Sequence, residues 1–394
     1  MKVLAAGTAT FTAIVVALVT LRWAPTTEHS PLRPDGVCRW IFVGATLAAL
    51  VAYVAGAAFA RKRAHPAAVA ALAAAIQLAP LAAPLLLSTD AYTYWAYGRV
   101  GAVYDGNPYA DPPSEWPDDP AYGRMGANWR DTTSLYGPVF TLGAEAHAAA
   151  VGPRPGLAAW LYKALAAIFV LAIALLAGRI APDRAAAIAF VGWNPLLALH
   201  FAGGGHNDAW MMAAVLAALA VEVSGRERGA GALWAVAIGI KWVPLVLLPL
   251  HLLARRRRGV LVGLAAGGVA VVAVAFARYG TKWLTAPGGL SRQARSTGSL
   301  GLSHLLGELG LGHRAILVVL GLGFLAAYAY LVRDALRGRA RLGLAAGAFA
   351  LAQGWFNPWY ALWPVALAAT EEDRAARWLA LVLTAYALRD ALPI

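Results

Sequence analysis

The chain has 394 residues, of which 60% are hydrophobic and only 13% charged, against about 25% charged in an ordinary soluble domain. With a mean hydropathy of +0.60, the apolar stretches are too many and too long to be hidden in a soluble core, so the bilayer is the solvent. The formal net charge of +13 does not point to nucleic acid, because the basic residues fall in short clusters beside hydrophobic runs, as the positive-inside rule produces.

Met1-Lys2 followed by apolar Val3 to Leu21 has the look of a signal peptide. It is long for one, and Arg22-Trp23 is not a small-residue cleavage site, so a retained first helix is expected. Further spans are expected near 40–60 and 66–87. Placing Arg61-Lys62-Arg63 inside puts the N-terminus inside and the segment after Leu87 outside. Residues 88–134 then form a first large extracytoplasmic loop. That loop is acidic, with Asp90, Asp105, Asp111, Glu115, Asp118, Asp119 and Asp131 against Arg99, Arg124 and Arg130, and its Tyr, Trp and Pro content predicts short interfacial helices and turns. Residues 135–150 are expected to re-enter or to lie along the interface.

Spans near 157–178, 185–201 and 208–223, with Arg179/Arg184 and Arg226/Arg228 inside, bring the flexible run Gly203 to Asp208 out on the other side. The next apolar segment, 230–253, carries cytoplasmic-type charge on both flanks, which one span cannot satisfy. The break Lys241-Trp242-Val243-Pro244 predicts a broken helix pair that rises partway and returns, with Lys241 near its apex. The alternative is a topology that violates the positive-inside rule. Spans near 259–277 and 313–332 bracket a second outer loop, 278–312, with Arg278, Lys282, Arg292 and Arg295. The chain then rises over 342–355, turns at Phe356-Asn357-Pro358-Trp359-Tyr360, descends to Glu371-Glu372-Asp373-Arg374 and ends in a helix over 375–389. No internal repeat is evident. The whole of 1–394 reads as one all-α polytopic transmembrane domain with about 11–13 segments, short broken or re-entrant helices included.

Four places stand out chemically. Asp90 follows the third span among aromatic residues, where a carboxylate can stay a base while an apolar environment raises its pKa; it could equally cap a helix. His206, Asn207 and Asp208 open a helix after three glycines, a place where amides and an imidazole suit an anion, or simply a capped turn. Lys241, inside an apolar segment, needs a partner or a cavity, for which a phosphate is suitable, unless it snorkels to the interface. Arg292 and Arg295 could clamp an anionic head group or face solvent. There is no Walker sequence and no pair of histidines at metal spacing, and the single Cys38 rules out an intrachain disulfide or a cysteine-based metal site. Carboxylates could hold a divalent cation, but nothing calls for one.

Taken in order, several of these stretches resemble the actinobacterial polyprenol-phosphate-mannose-dependent mannosyltransferases, membrane glycosyltransferases of the GT-C superfamily. The resemblance rests on Ser88-Thr89-Asp90-Ala91-Tyr92, Gly98-Arg99, Asn107-Pro108-Tyr109, Tyr136-Gly137-Pro138, Trp193-Asn194-Pro195, Gly205-His206-Asn207-Asp208, Lys241 with Pro244, and Pro358-Trp359-Tyr360. It runs from about residue 85 to 365, and departs from the family at Thr89, Thr93 and Tyr97. The resemblance implies a GT-C fold and an inverting transfer of a sugar, mannose in the family, from a polyprenyl-phosphate donor to a glycan or glycolipid acceptor. The active site would face outward from a bacterial plasma membrane. Asp90 would be the base; Lys241, Arg292, Arg295 and His206 would hold the donor phosphate; Tyr92, Arg99, Tyr136, Asn207, Asp208, Trp359 and Tyr360 would bind donor or acceptor. No cofactor is implied, and the partners are the bilayer and the two substrates. A lipid-linked-sugar transporter or flippase is the competing class, since Lys241 beside Pro244 also suits a discontinuous helix.

Overall fold

The computed structural model describes residues 2–21, 36–59, 64–288 and 300–392. Arg61-Lys62-Arg63, Arg292 and Arg295 lie outside the described residues. Among the described residues every regular element is a helix, as alanine- and leucine-rich runs favour and as the absence of water around a spanning backbone demands.

Helices α1 (Lys2–Leu21) and α2 (Gly36–Phe59) pack as a pair, and α3 (Pro66–Leu78) lies against α1. The third apolar run stays helical for less than its full length. A single 3₁₀ turn over Ala79–Ala82 ends it, and residues 84–86 are irregular. Helix α4 (Asp90–Val103) then opens the expected loop, which contains two short 3₁₀ turns, Pro113–Glu115 and Ala127–Trp129. Helices α5 (Pro138–Val151) and α6 (Pro155–Ile180) follow, with α5 laid along α4.

The span expected over 185–201 is broken. Helix α7 (Arg184–Gly192) and the following Pro195–Ala202 stretch, a short turn α8 (Pro195–Leu197) and then a π turn, meet at 45°. The freed backbone groups are answered from inside the protein. Gln77 Nε2 donates to the carbonyls of Gly192 (3.0 Å) and Asn194 (3.3 Å), and the Asn194 side chain accepts from the Leu197 amide at 3.3 Å. Irregular backbone at depth is tolerated on that condition.

The hairpin expected around Lys241 is present as α10 (Glu227–Ile240) and α11 (Pro244–Arg255), between α9 (Asp208–Val223) and α12 (Arg258–Tyr279). Contacts at its two ends show that it returns. At the base, Glu227 accepts from Arg257 (3.2 Å) and from the Gly259 amide (3.1 Å), while Glu222 meets His251 Nε2 at 2.6 Å. At the tip, Lys241 meets Asp208, the first residue of α9. The 16 residues of α9 separate these ends by about 24 Å. Helix α12 runs back toward the tip's end, where Arg278 and Tyr279 donate to Glu145 at 3.0 and 2.9 Å.

Five described helices are long and apolar enough to cross a membrane by length and composition: α1, α2, α6, α12 and His313–Leu336. The bent α7 pair adds a sixth, and Pro66–Ala82, Pro244–Arg255 and Leu342–Ala352 are shorter apolar helices. The last three helices, Leu342–Ala352, Leu362–Ala368 and Arg374–Leu388, fill the remaining side of the core.

Candidate functional site

The site is assembled where α4, the π turn, the start of α9, the hairpin tip and the final turn converge. The linker ahead of α4 is held at two points: Lys163 of α6 donates to the carbonyls of Ala83 and Pro84, and the Leu86 amide donates to Gly203 at 2.9 Å. Thr89 occupies the N-cap position, and Ser88 Oγ accepts from the Asp90 amide at 3.1 Å. The capping reading of Asp90 therefore does not hold, and its carboxylate is available for other contacts. Tyr94, one turn on, donates to Oδ2 at 3.3 Å, and His206 Nδ1 lies 3.4 Å from the same oxygen.

Asp90 lines a cavity of about 160 Å³ together with Tyr136, Lys241, Trp359 and Tyr360, all anticipated from the sequence. Tyr94, Trp129, Leu135, Trp355 and Asn357 line it as well and were not. Tyr94 was legible in principle, since i+4 spacing puts it on the face of Asp90. Trp129 and Trp355 come from turns whose spacing carries no such signal. Tyr136 reaches the cavity because the segment before α5 is stitched to the hairpin tip. The Gly137 amide donates to Ile240 O at 3.1 Å, Trp242 Nε1 donates to Leu135 O at 3.2 Å, and a Cβ on Gly137 would stand 2.2 Å from Gly239 O.

Lys241 is not a free cation. Its Nζ donates to Asp208 Oδ2 at 2.7 Å and lies 3.4 Å from Asn207 Oδ1, while Trp363 Nε1 donates to Asp208 Oδ1 at 2.7 Å. The ammonium also faces the rings of Tyr136 and Tyr360 at 5.9 and 5.5 Å, a range in which a ring face attracts a cation. Asp90 behaves against expectation. Burial pushes its pKa up, but the facing His206 imidazole and the charge of Lys241 outweigh that and hold it below the usual carboxylate value.

Several anticipated residues are placed elsewhere. The Gly203–Asp208 run is buried, not an exposed flexible loop; Gly205 adopts φ +74° and packs against Tyr162 and Ala91. His206 and Asn207 are fully buried, so the start of α9 does not present free amides to solvent. Arg99 is buried in an ion pair with Asp119 (2.7 Å) that Tyr104 joins at 2.8 Å, a clamp on the 104–134 loop away from the cavity. Tyr92 packs against the apolar core. No group of three or more His, Cys, Asp or Glu suited to a metal ion occurs among the described residues. A larger cavity, about 590 Å³, lies at the hairpin's base among Glu222, His251, Arg257, Arg341 and Asp373, far from Asp90.

These features define an all-helical polytopic membrane protein with a carboxylate and a lysine on one small aromatic cavity, of the GT-C kind. The chain belongs to the alpha-(1->6)-mannopyranosyltransferase family: residues 2–257 match the model described as "Alpha-(1->6)-mannopyranosyltransferase, N-terminal domain". It is similar to alpha-(1->6)-mannopyranosyltransferase A of Mycobacterium tuberculosis, 33% identical over 260 residues, 57% of this chain and 49% of that protein. It is also similar to the A enzyme of Corynebacterium glutamicum, 31% identical over 43% of this chain and 34% of that one. With the B enzyme of the same organism it shares 28% identity over 75% of this chain and 57% of that one. The chain thus spans about half the length of the curated relatives it matches. No solved structure matches it.

Proposed function

We propose that this protein is an inverting mannosyltransferase that moves a mannosyl group from a polyprenyl-phosphate donor to an extracytoplasmic glycan or glycolipid acceptor. The observation that carries this reading is the shared cavity of Asp90 and Lys241 at the end of the helix bundle remote from the Arg255–Arg258 cluster. Membership of a mannopyranosyltransferase family supports the sugar. The positive-inside rule supports the outward orientation, because the basic hairpin base is the cytoplasmic-type end.

In this reading the acceptor hydroxyl gives its proton to the Asp90 carboxylate as its oxygen bonds to the anomeric carbon. The bond from that carbon to the lipid phosphate breaks, and its electron pair stays on the phosphate oxygen. Lys241 is placed to meet the charge that develops there, with Arg292 and Arg295 as further cations from the second outer loop. The cavity is smaller than the roughly 300 Å³ at which drug-sized pockets begin, so it suits one sugar ring, with the prenyl chain left in lipid. Tyr136, Trp359 and Tyr360 offer aromatic faces to that ring. A transporter would instead need its polar groups near the midplane, and these stand at one end of α9.

The test is direct. Purified protein in lipid nanodiscs, given a radiolabelled polyprenyl-phosphate mannose and an α-mannoside acceptor, elongates the acceptor with inversion at the anomeric carbon. Asp90→Asn, folded and donor-binding, does not. Turnover by that variant at the wild-type rate removes Asp90 from the base role, and absence of transfer by the wild type with this donor rejects the reading.

A further inference from the structure

His206 stands apart from the cavity. Its side chain is fully buried, it does not line the cavity, and it sits behind Asp90 with Nδ1 3.4 Å from Oδ2. Its ring is stacked on the indole of Trp359, centroids 3.7 Å apart and planes 17° from parallel. Neither ring nitrogen makes a hydrogen bond among the described residues, so the 3.4 Å approach of Nδ1 to Asp90 is the polar contact the ring has. A fully buried imidazole stacked on an indole, with one carboxylate in reach, is held in a single orientation toward that carboxylate.

Asp90 has the converse need. Its side chain is 20% exposed, and a carboxylate so far removed from water requires a charged partner. The charge of Lys241 contributes, but its ammonium is in direct contact with Asp208 at 2.7 Å. The other titratable groups facing Asp90 are neutral phenols: Tyr94 and Tyr97 from its own helix, Tyr136 from the segment before α5, and Tyr360 from the final turn. Asp208 adds negative charge, and His200 stands behind His206 with ring centroids 6.0 Å apart. The site therefore sets two side chains able to carry positive charge against two carboxylates, Lys241 against Asp208 at 2.7 Å and His206 against Asp90 at 3.4 Å.

We infer that His206 is a positioning residue: its imidazolium, held flat against Trp359, keeps Asp90 ionised and fixes Oδ2, so that the carboxylate meets the acceptor already deprotonated. This rests on Asp90 being the base in the reading above, but it can be tested apart from it. The carbonyl stretch of protonated Asp90, identified as the infrared band missing from Asp90→Asn, is titrated in the full-length purified protein. In His206→Phe, which keeps a ring on Trp359 and drops the charge, the midpoint rises by about one to three pH units, as expected when an opposite charge is lost at this range. In His206→Gln, which keeps a donor without charge, it also rises, by less.

Where transfer is measurable, the acid limb of the pH–rate profile moves up by the same amount while the donor KM stays put. A merely structural histidine would lower activity equally at every pH and leave both midpoints where they are. An unchanged Asp90 midpoint in folded His206→Gln overturns the inference even if His206→Phe fails to fold. If the wild type shows no transfer, the infrared midpoints still decide the matter, so failure of the functional reading is told apart from failure of this one.

Discussion

Lys241 and Asp208, 33 residues apart in sequence, are joined at 2.7 Å with Asp208 wholly buried. That contact locks the hairpin tip onto the start of α9, and so brings the lysine, the aromatic segment before α5 and the Asp90 helix around one cavity. Removing one partner of a buried pair strands the other charge at a cost of about 3–5 kcal/mol. Lys241→Met is therefore expected to lower stability by that order in denaturant titration of the purified protein. Lys241→Met with Asp208→Asn recovers most of the stability. The donor KM of the double variant stays raised if the ammonium also meets the phosphate, and a normal donor KM would confine Lys241 to a structural role.

Tyr94 tests the other side of the carboxylate. Its hydroxyl donates to Oδ2 at 3.3 Å while its ring packs edge-on to Tyr136, Phe140 and Tyr162. Tyr94→Phe keeps the packing and deletes the donor to a charged acceptor, so kcat is expected to fall about tenfold, roughly 1.4 kcal/mol, with little change in melting temperature. Single-turnover kinetics read the first and differential scanning fluorimetry the second.

The Arg99–Asp119 pair, side chains 7% and 6% exposed, ties α4 to the loop that follows it. Arg99→Leu leaves Asp119 buried beside the Tyr104 hydroxyl and the Ala121 amide alone. The expected outcome is a loss of about 3–5 kcal/mol and rapid proteolytic cutting within residues 104–134. A protease-resistant variant would contradict the clamp.

At the opposite end, Glu371 sits in the turn between the Leu362–Ala368 and Arg374–Leu388 helices, where burial pushes its pKa up to about 7 and the Gly343 and Leu342 amides only partly counter it. Since the unfolded chain releases this proton near 4.5, the native state binds more protons between those values and loses stability as pH rises through that window. Glu371→Gln should flatten the fall in melting temperature between about pH 4.5 and 7. An identical slope in the variant would remove Glu371 as its source.

The return of the chain at Lys241 could be read ahead of the structure because it follows from two local facts, basic flanks on both sides of one apolar run and a proline within it. The break at Trp193-Asn194-Pro195 was visible as a motif, yet its meaning was not. Gln77, which satisfies the exposed carbonyls, lies 115 residues from Gly192, and no local pattern links them. Asp90 was singled out by its position after a span, but the direction of its pKa shift depends on His206, more than a hundred residues later. Burial alone predicts the wrong sign.

The amino-acid sequence by itself determined that this protein lives in lipid and that its chain doubles back at Lys241. Apolar run length, flanking charge and proline act locally, and nothing distant can undo them. Which charges face each other was decided only by tertiary packing: Lys241 with Asp208, His206 with Asp90, and Arg99 kept out of the cavity by Asp119. An ion pair in a low-dielectric interior is fixed by distances of a few ångströms between helices, and those distances exist only once the helices have packed.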